Sequence, residues 1–97
     1  MRTFYSEYVR HCMRFYSRHL NPKFKSEADK NNWIACQCAL SGFSDSDRET
    51  LLTIYRGRDT IPDNVYQISK EKGIKQDNLW KLVNDLERKV AKRRGLL

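Results

Sequence analysis

Between Gln76 and Arg93 the chain contains neither glycine nor proline, and Leu79, Leu82, Val83, Leu86 and Val90 recur at three- and four-residue spacing. That is the period of one face of an α-helix; a strand would alternate every second residue. Such a helix draws most of its stability from packing its apolar stripe rather than from propensity, so it needs partners. The rest of the chain must supply them.

Four further helices are predicted. The first runs from Thr3 to Leu20, with Tyr5, Tyr8, Val9, Cys12, Met13, Phe15, Tyr16 and Leu20 near its inner face, and Asn21-Pro22 ends it because the residue before proline is pushed out of the helical region. Its aromatic side chains, with Phe4, are expected to pack on Trp33 and Leu51, any surplus forming a dimer surface. Ser26 is a good N-cap for the second helix, with Glu27 and Asp29 in the first turn, and Trp33, Ile34, Cys38 and Leu40 turned inward before a stop near Gly42. Ser46-Asp47-Arg48-Glu49 matches the S-x-x-E capping box and opens a third helix carrying Leu51, Leu52, Ile54 and Tyr55. Arg56-Gly57-Arg58-Asp59 breaks it. Pro62 sits near the first position of a fourth helix, about Pro62 to Lys72, which buries Val65 and Ile68 with Tyr66 beside them. No stretch alternates long enough for a strand. The expectation is an all-α fold, a small helical bundle of about five helices with a C-terminal helix-turn-helix. Residues 1–97 form one domain, with 1–43 as an N-terminal helical hairpin and 44–97 as the helix-turn-helix part.

Charge narrows the function. The net charge is +7 and its placement is uneven. Residues 1–25 carry six Lys or Arg against Glu7 alone, residues 70–97 carry nine against four acids, and the segment between is net negative. Two basic ends suit a polyanion, because neutralising phosphates releases counterions; the plainer reading is a solvated, soluble surface. Arg10, Arg14 and Arg18 recur every fourth residue as a stripe that either clamps phosphates, meets an acidic partner, or is simply the wet side of the first helix. The last of these is favoured. Three cysteines without an apolar leader point to reduced thiols and a cytoplasmic setting, and no segment reaches the roughly 18 apolar residues of a membrane span.

Catalysis finds no support. There is no glycine-rich phosphate loop, no carboxylate pair in an apolar setting and no nucleophile beside a histidine base, so an enzyme is not expected, nor a cofactor. His11, Cys12, Cys36 and Cys38 fail as a zinc set, since adjacent helical residues point about 100° apart and residues two apart about 200°, which prevents tetrahedral convergence. Buried thiols are the default.

The C-terminal half carries the sharper reading. A short helix, Gly73 at its boundary and a longer basic helix together read as a DNA-binding helix-turn-helix, because glycine adopts the left-handed conformation that commonly ends a helix. The segment resembles the C-terminal promoter-reading domain of housekeeping-type bacterial sigma factors, region four. The resemblance lies in Asp47-Arg48-Glu49-Thr50-Leu51-Leu52, in Val65 to Ile74 with Ile68, Ser69 and Gly73-Ile74 at matching positions, and in Asp77-Asn78-Leu79-Trp80-Lys81-Leu82. It departs at Lys72, where the family buries a leucine, and at Lys75, where the family places a Ser or Thr cap, leaving that cap to Asp77 or Asn78.

The resemblance implies a stand-alone regulator of transcription, of a phage or mobile element, whose partners are double-stranded DNA and RNA polymerase; helix-turn-helix proteins commonly pair, so a second copy of the chain is a further expected partner, and the lack of a long apolar run leaves no membrane partner expected. By position it implies base reading by Gln76, Asp77, Trp80 and Lys81. Glutamine suits adenine, aspartate the cytosine amino group and lysine guanine, while Trp80 is more often core or interface. Lys75, Asn84, Arg88, Lys89, Lys92, Arg93 and Arg94 suit phosphate contacts, which position without specifying. The alternative is a protein-interaction module, docking a polymerase subunit or a regulator or pairing as a helical homodimer, without specific readout of DNA.

Overall fold

A computed structural model describes residues 4–19 and 23–97, in which five helices and no strand occur: α1 (Ser6–Arg18), α2 (Glu27–Leu40), α3 (Asp45–Arg56), α4 (Ile61–Lys72) and α5 (Gln76–Arg93). The expected ends of α1 at Thr3 and at Leu20, Asn21 and Pro22 lie outside the described residues. The all-α bundle is as expected. α5 is central to it: α1, α2, α3 and α4 all pack against this helix, and α1 also packs on α2 and α3.

Local chemistry explains the helix starts. Ser26, Ser44 and Thr60 each sit extended at an N-cap and accept a hydrogen bond from the backbone N–H three residues on, those of Asp29, Asp47 and Asp63. The cap of α3 is therefore Ser44, not Ser46. Ser46 lies within the first turn, where its carbonyl accepts from the Thr50 hydroxyl at 3.0 Å. Thr60-Ile61-Pro62 places proline in the first turn of α4, where its missing N–H costs nothing. α4 closes on Gly73, at φ 66° and ψ 29°, and the Ser69 hydroxyl donates to the Ile74 carbonyl at 2.5 Å across that turn. This turn is as the sequence led us to expect.

The core departs from expectation most in α2 and around α1. In α2 the inward residues are Ala35, Cys36, Ala39 and Leu40, whereas Trp33 and Cys38 are half-buried and Ile34 is exposed. The physical reason is close approach: small alanines let α2 settle against α1 and α5, and the large Trp33 ring is left at the edge. There Trp33 packs on Tyr16 and Phe24, and its indole N–H donates to the His19 carbonyl at 3.0 Å. Of the described aromatic residues in α1 and just before it, only Tyr5 is buried, while Phe15 and Tyr16 are half-buried and Phe4 and Tyr8 are exposed. Val9, Cys12 and Met13 do the packing instead. Tyr66 of α4 is likewise exposed, and Leu52 and Leu82 are half-buried against the core rather than inside it.

Candidate nucleic-acid interface

The stripe of α5 opposite its buried residues carries the candidate contacts. Leu79, Val83, Leu86, Val90 and Ala91 are fully buried, so the helix is held with one fixed rotation about its axis. Asp77, Lys81, Asn84, Arg88 and Lys92 then follow at four-, three-, four- and four-residue intervals on the opposite side, all exposed. Gln76, Lys75 and Arg93 are exposed as well. Lys75 occupies the N-cap of α5 with no side-chain cap hydrogen bond, so neither Asp77 nor Asn78 supplies the missing oxygen. The first N–H groups of a long helix thus remain available to an acceptor beside Gln76 and Asp77.

Four of the expected contact residues have other commitments. Trp80 is half-buried against the core, and the Arg10 guanidinium lies over its ring at 6.0 Å from the centroid. Arg94 is half-buried, and its Nε donates to the Asn32 side-chain oxygen at 2.6 Å, tying the end of α5 to α2. Lys89 reaches back over the Phe43 ring at 4.4 Å and pairs with Asp85 at 3.3 Å. Arg88 pairs with Asp85 at the same distance while staying exposed on the stripe. Lys81, Lys92 and Arg93 are the exposed cations of α5 with no ion pair among the described residues.

The arginine stripe of α1 is structural, correcting its reading as a wet face. Arg14 donates to the Gly57 carbonyl at 2.7 Å and to the Asp59 carbonyl at 2.6 Å, and Arg18 donates to the Gly57 carbonyl at 3.1 Å. In return Arg56 Nε donates to the Ser17 carbonyl at 3.1 Å, so the end of α1 and the α3–α4 connection are stitched together. Desolvation, then the neighbouring Arg18 and Arg10, lowers the Arg14 pKa.

The decisive polar group of the interior is Glu87, counted from the sequence only as one of the four acids of residues 70–97. It is 1% exposed, yet lies four residues beyond Val83 and three before Val90, on the inner stripe. Its Oε2 accepts from Arg10 Nε at 2.9 Å and from the Tyr55 hydroxyl at 2.8 Å, joining α1, α3 and α5. Burial, followed by the Glu87 charge, pushes the Tyr55 phenol well above its ordinary value, which keeps it protonated as a donor. The position itself was the signal: a glutamate in register with the apolar period.

The three thiols differ in burial. Burial raises Cys12 to about 11 and Cys36 further still, whereas Cys38 is half-buried where α2 passes the basic end of α5. No family model, no curated protein and no solved structure matches this chain.

Proposed function

We propose that this chain is a DNA-binding transcription regulator of the sigma region-four-like type, with α5 as the helix that enters the major groove. The observation that carries the reading is the outward stripe of α5, in which Lys81, Asn84, Arg88 and Lys92 line one side of a helix whose opposite side is locked into the core. Gln76, Asp77 and Lys81, near the start of the helix, are the base readers in this reading. Lys75, Asn84, Arg88, Lys92 and Arg93 hold phosphates. Trp80, Lys89 and Arg94 act from behind, fixing α5 against α1, Phe43 and α2. Action with RNA polymerase in the cytoplasm, and a source in a phage or mobile element, go with the same reading.

A salt titration on random and selected duplexes tests it. The four cations of the phosphate-holding set, Lys75, Arg88, Lys92 and Arg93, would give a slope of about −3.6 in log K against log salt, Asn84 adding a contact without a charge. Lys92→Ala should flatten that slope by about one for every sequence, whereas Gln76→Ala should cost about 1–3 kcal/mol on the selected duplex and little on random DNA. Equal affinity for all duplexes would reject sequence-specific readout.

One observation favours a protein-interaction reading: Phe4, Tyr8, Phe24 and Ile34 are exposed, Phe4 by 80%. In that reading these residues meet a polymerase subunit, a regulator or a second copy. Light scattering across a concentration series separates a homodimer from a monomer. Absence of duplex binding at low salt would make the interaction module the leading function.

A further inference from the structure

We infer that the groove between α2 and the last turns of α5 is a docking site for an acidic amphipathic helix of a partner protein. Two hollows, of about 450 and 190 Å³, lie between these helices and meet at Cys38 and Arg93, which line both. The α2 wall runs from Asn31 through Ile34 and Cys38 to Gly42 at three- and four-residue intervals, so the groove follows one face of that helix for roughly 16 Å. A third helix of about three turns matches that length.

The floor is apolar. Ala35 and Ala39 are buried beneath it, Cys38 is half-buried, and Ile34 stands at its edge, 40% exposed. Small side chains bring α2 close to α5 but leave the space above them unfilled, and an entering leucine or phenylalanine would fill it and cover Ile34.

The α5 wall is cationic. Lys89 and Lys92 line the larger hollow, Arg94 the smaller and Arg93 both, and no carboxylate lines either. Lys89 is paired with Asp85 at 3.3 Å, and its ammonium lies over the Phe43 ring. Lys92 and Arg93 have no ion pair among the described residues, and Arg94 donates to a neutral oxygen, that of the Asn32 side chain. Nor are these side chains needed to close the helix, since the carbonyls of Val90, Ala91 and Lys92 already accept from the backbone N–H groups of Arg94, Leu96 and Gly95. Cations without a carboxylate, set along an apolar floor, call for an occupant whose acidic side chains flank apolar ones. A phosphate backbone would satisfy the wall and leave the floor bare, which favours a peptide over a nucleic acid. Such docking needs neither duplex binding nor the aromatic residues Phe4, Tyr8 and Phe24.

The test uses a fluorescent peptide of about fifteen residues, with leucines at helical spacing and glutamates along one flank, titrated against the full chain by anisotropy. The reaction of Cys38 with a disulfide reagent is followed with and without it. One peptide should bind per chain, more weakly as salt rises, and at saturation it should slow the modification of Cys38 by about tenfold or more, because that thiol lies in the groove. Ile34→Ser, and Lys92→Glu combined with Arg93→Glu, all at exposed positions, should each weaken the peptide by about tenfold with unchanged helical circular dichroism. Equal binding of a peptide with lysine for glutamate, or with serine for leucine, overturns the inference, as does an unprotected Cys38 at millimolar peptide. A duplex that protects Cys38 as well as the peptide does assigns the groove to nucleic acid and overturns it too.

Lys92 and Arg93 serve the DNA-binding reading as well, so two other variants separate the failures. Ile34→Ser should leave duplex binding unchanged, and Gln76→Ala should leave peptide binding unchanged. Peptide bound without any duplex bound rejects the DNA-binding reading and leaves the groove standing, while duplex bound without peptide does the reverse.

Discussion

Glu87 shows how much one residue can hold. A carboxylate at 1% exposure is tolerated because Arg10 neutralises it and Tyr55 adds a second donor, and these come from helices separated from α5 in sequence. Removing one partner leaves the other charge buried and alone. Arg10→Ala is therefore expected to destabilise by about 3–5 kcal/mol, while Tyr55→Phe, which deletes only a neutral donor, should cost about 1–3 kcal/mol. Replacing the ionic pair together, as Arg10→Met with Glu87→Leu, should recover most of the loss. Urea denaturation of the three variants checks the order, and a double variant less stable than Arg10→Ala would show that the triad stabilises more than its apolar replacement. Thiol reactivity is set at the same scale. Cys38 should react first with a disulfide reagent under native conditions, because Cys12 and Cys36 are buried and their thiols are held protonated by that burial. Fast modification of more than one thiol per chain would contradict this placement.

Helix ends and turns were largely legible in the sequence because their signals are local. Ser26, Pro62 and Gly73 each act on backbone within a few residues, and each does what its chemistry suggests. The cap of α3 was misplaced by two residues because Ser44 and Ser46 offer the same oxygen, and only the extended backbone at Ser44 lets it reach the Asp47 N–H. Faces were less legible where apolar and polar residues lack a clean period, as in α2, and where side chains meet distant backbone, as Arg14 does at Gly57. The two glycines flanking α4 illustrate the difference. At Gly73 a Cβ meets nothing within 4 Å, so Gly73→Ala should cost only the left-handed backbone, about 1–2 kcal/mol. At Gly57 the backbone is ordinary, but a Cβ would sit 2.6 Å from the Asn64 side chain, whose amide donates to the Ile54 carbonyl at 2.9 Å and the Asp59 carbonyl at 3.2 Å. Gly57→Ala must therefore shift a buried, bonded side chain, and it should cost about 1–3 kcal/mol by disturbing those bonds. Asn64→Ala in the Gly57→Ala background separates the causes: in thermal melts the second substitution should add less than Asn64→Ala costs alone.

For the molecule as a whole, the buried titratable groups give stability a direction in pH. Cys12, Cys36, Tyr16 and Tyr55 come from α1, α2 and α3, and burial raises all four by disfavouring their charged forms. A thiol with an ordinary value of 9.0 in the unfolded chain and about 11 in the folded one binds its proton more tightly when folded. The unfolded chain therefore loses protons first as pH rises, and stability is fully present below pH 9 and falls as the pH climbs from 9 towards 11. Each unit of separation is worth about 1.4 kcal/mol, so Cys12 alone accounts for a loss of about 2–3 kcal/mol across that window. Denaturant midpoints should hold steady from pH 7 to about 8, a full unit below the unfolded value, and then decline. Cys12→Ala starts lower, because it empties a packed site between α1 and its neighbours, but its decline should be shallower by the share that Cys12 contributes. A parent chain whose midpoint is flat to pH 11 would mean that these thiols and phenols meet water in solution, and that the three helices contributing them do not pack as described.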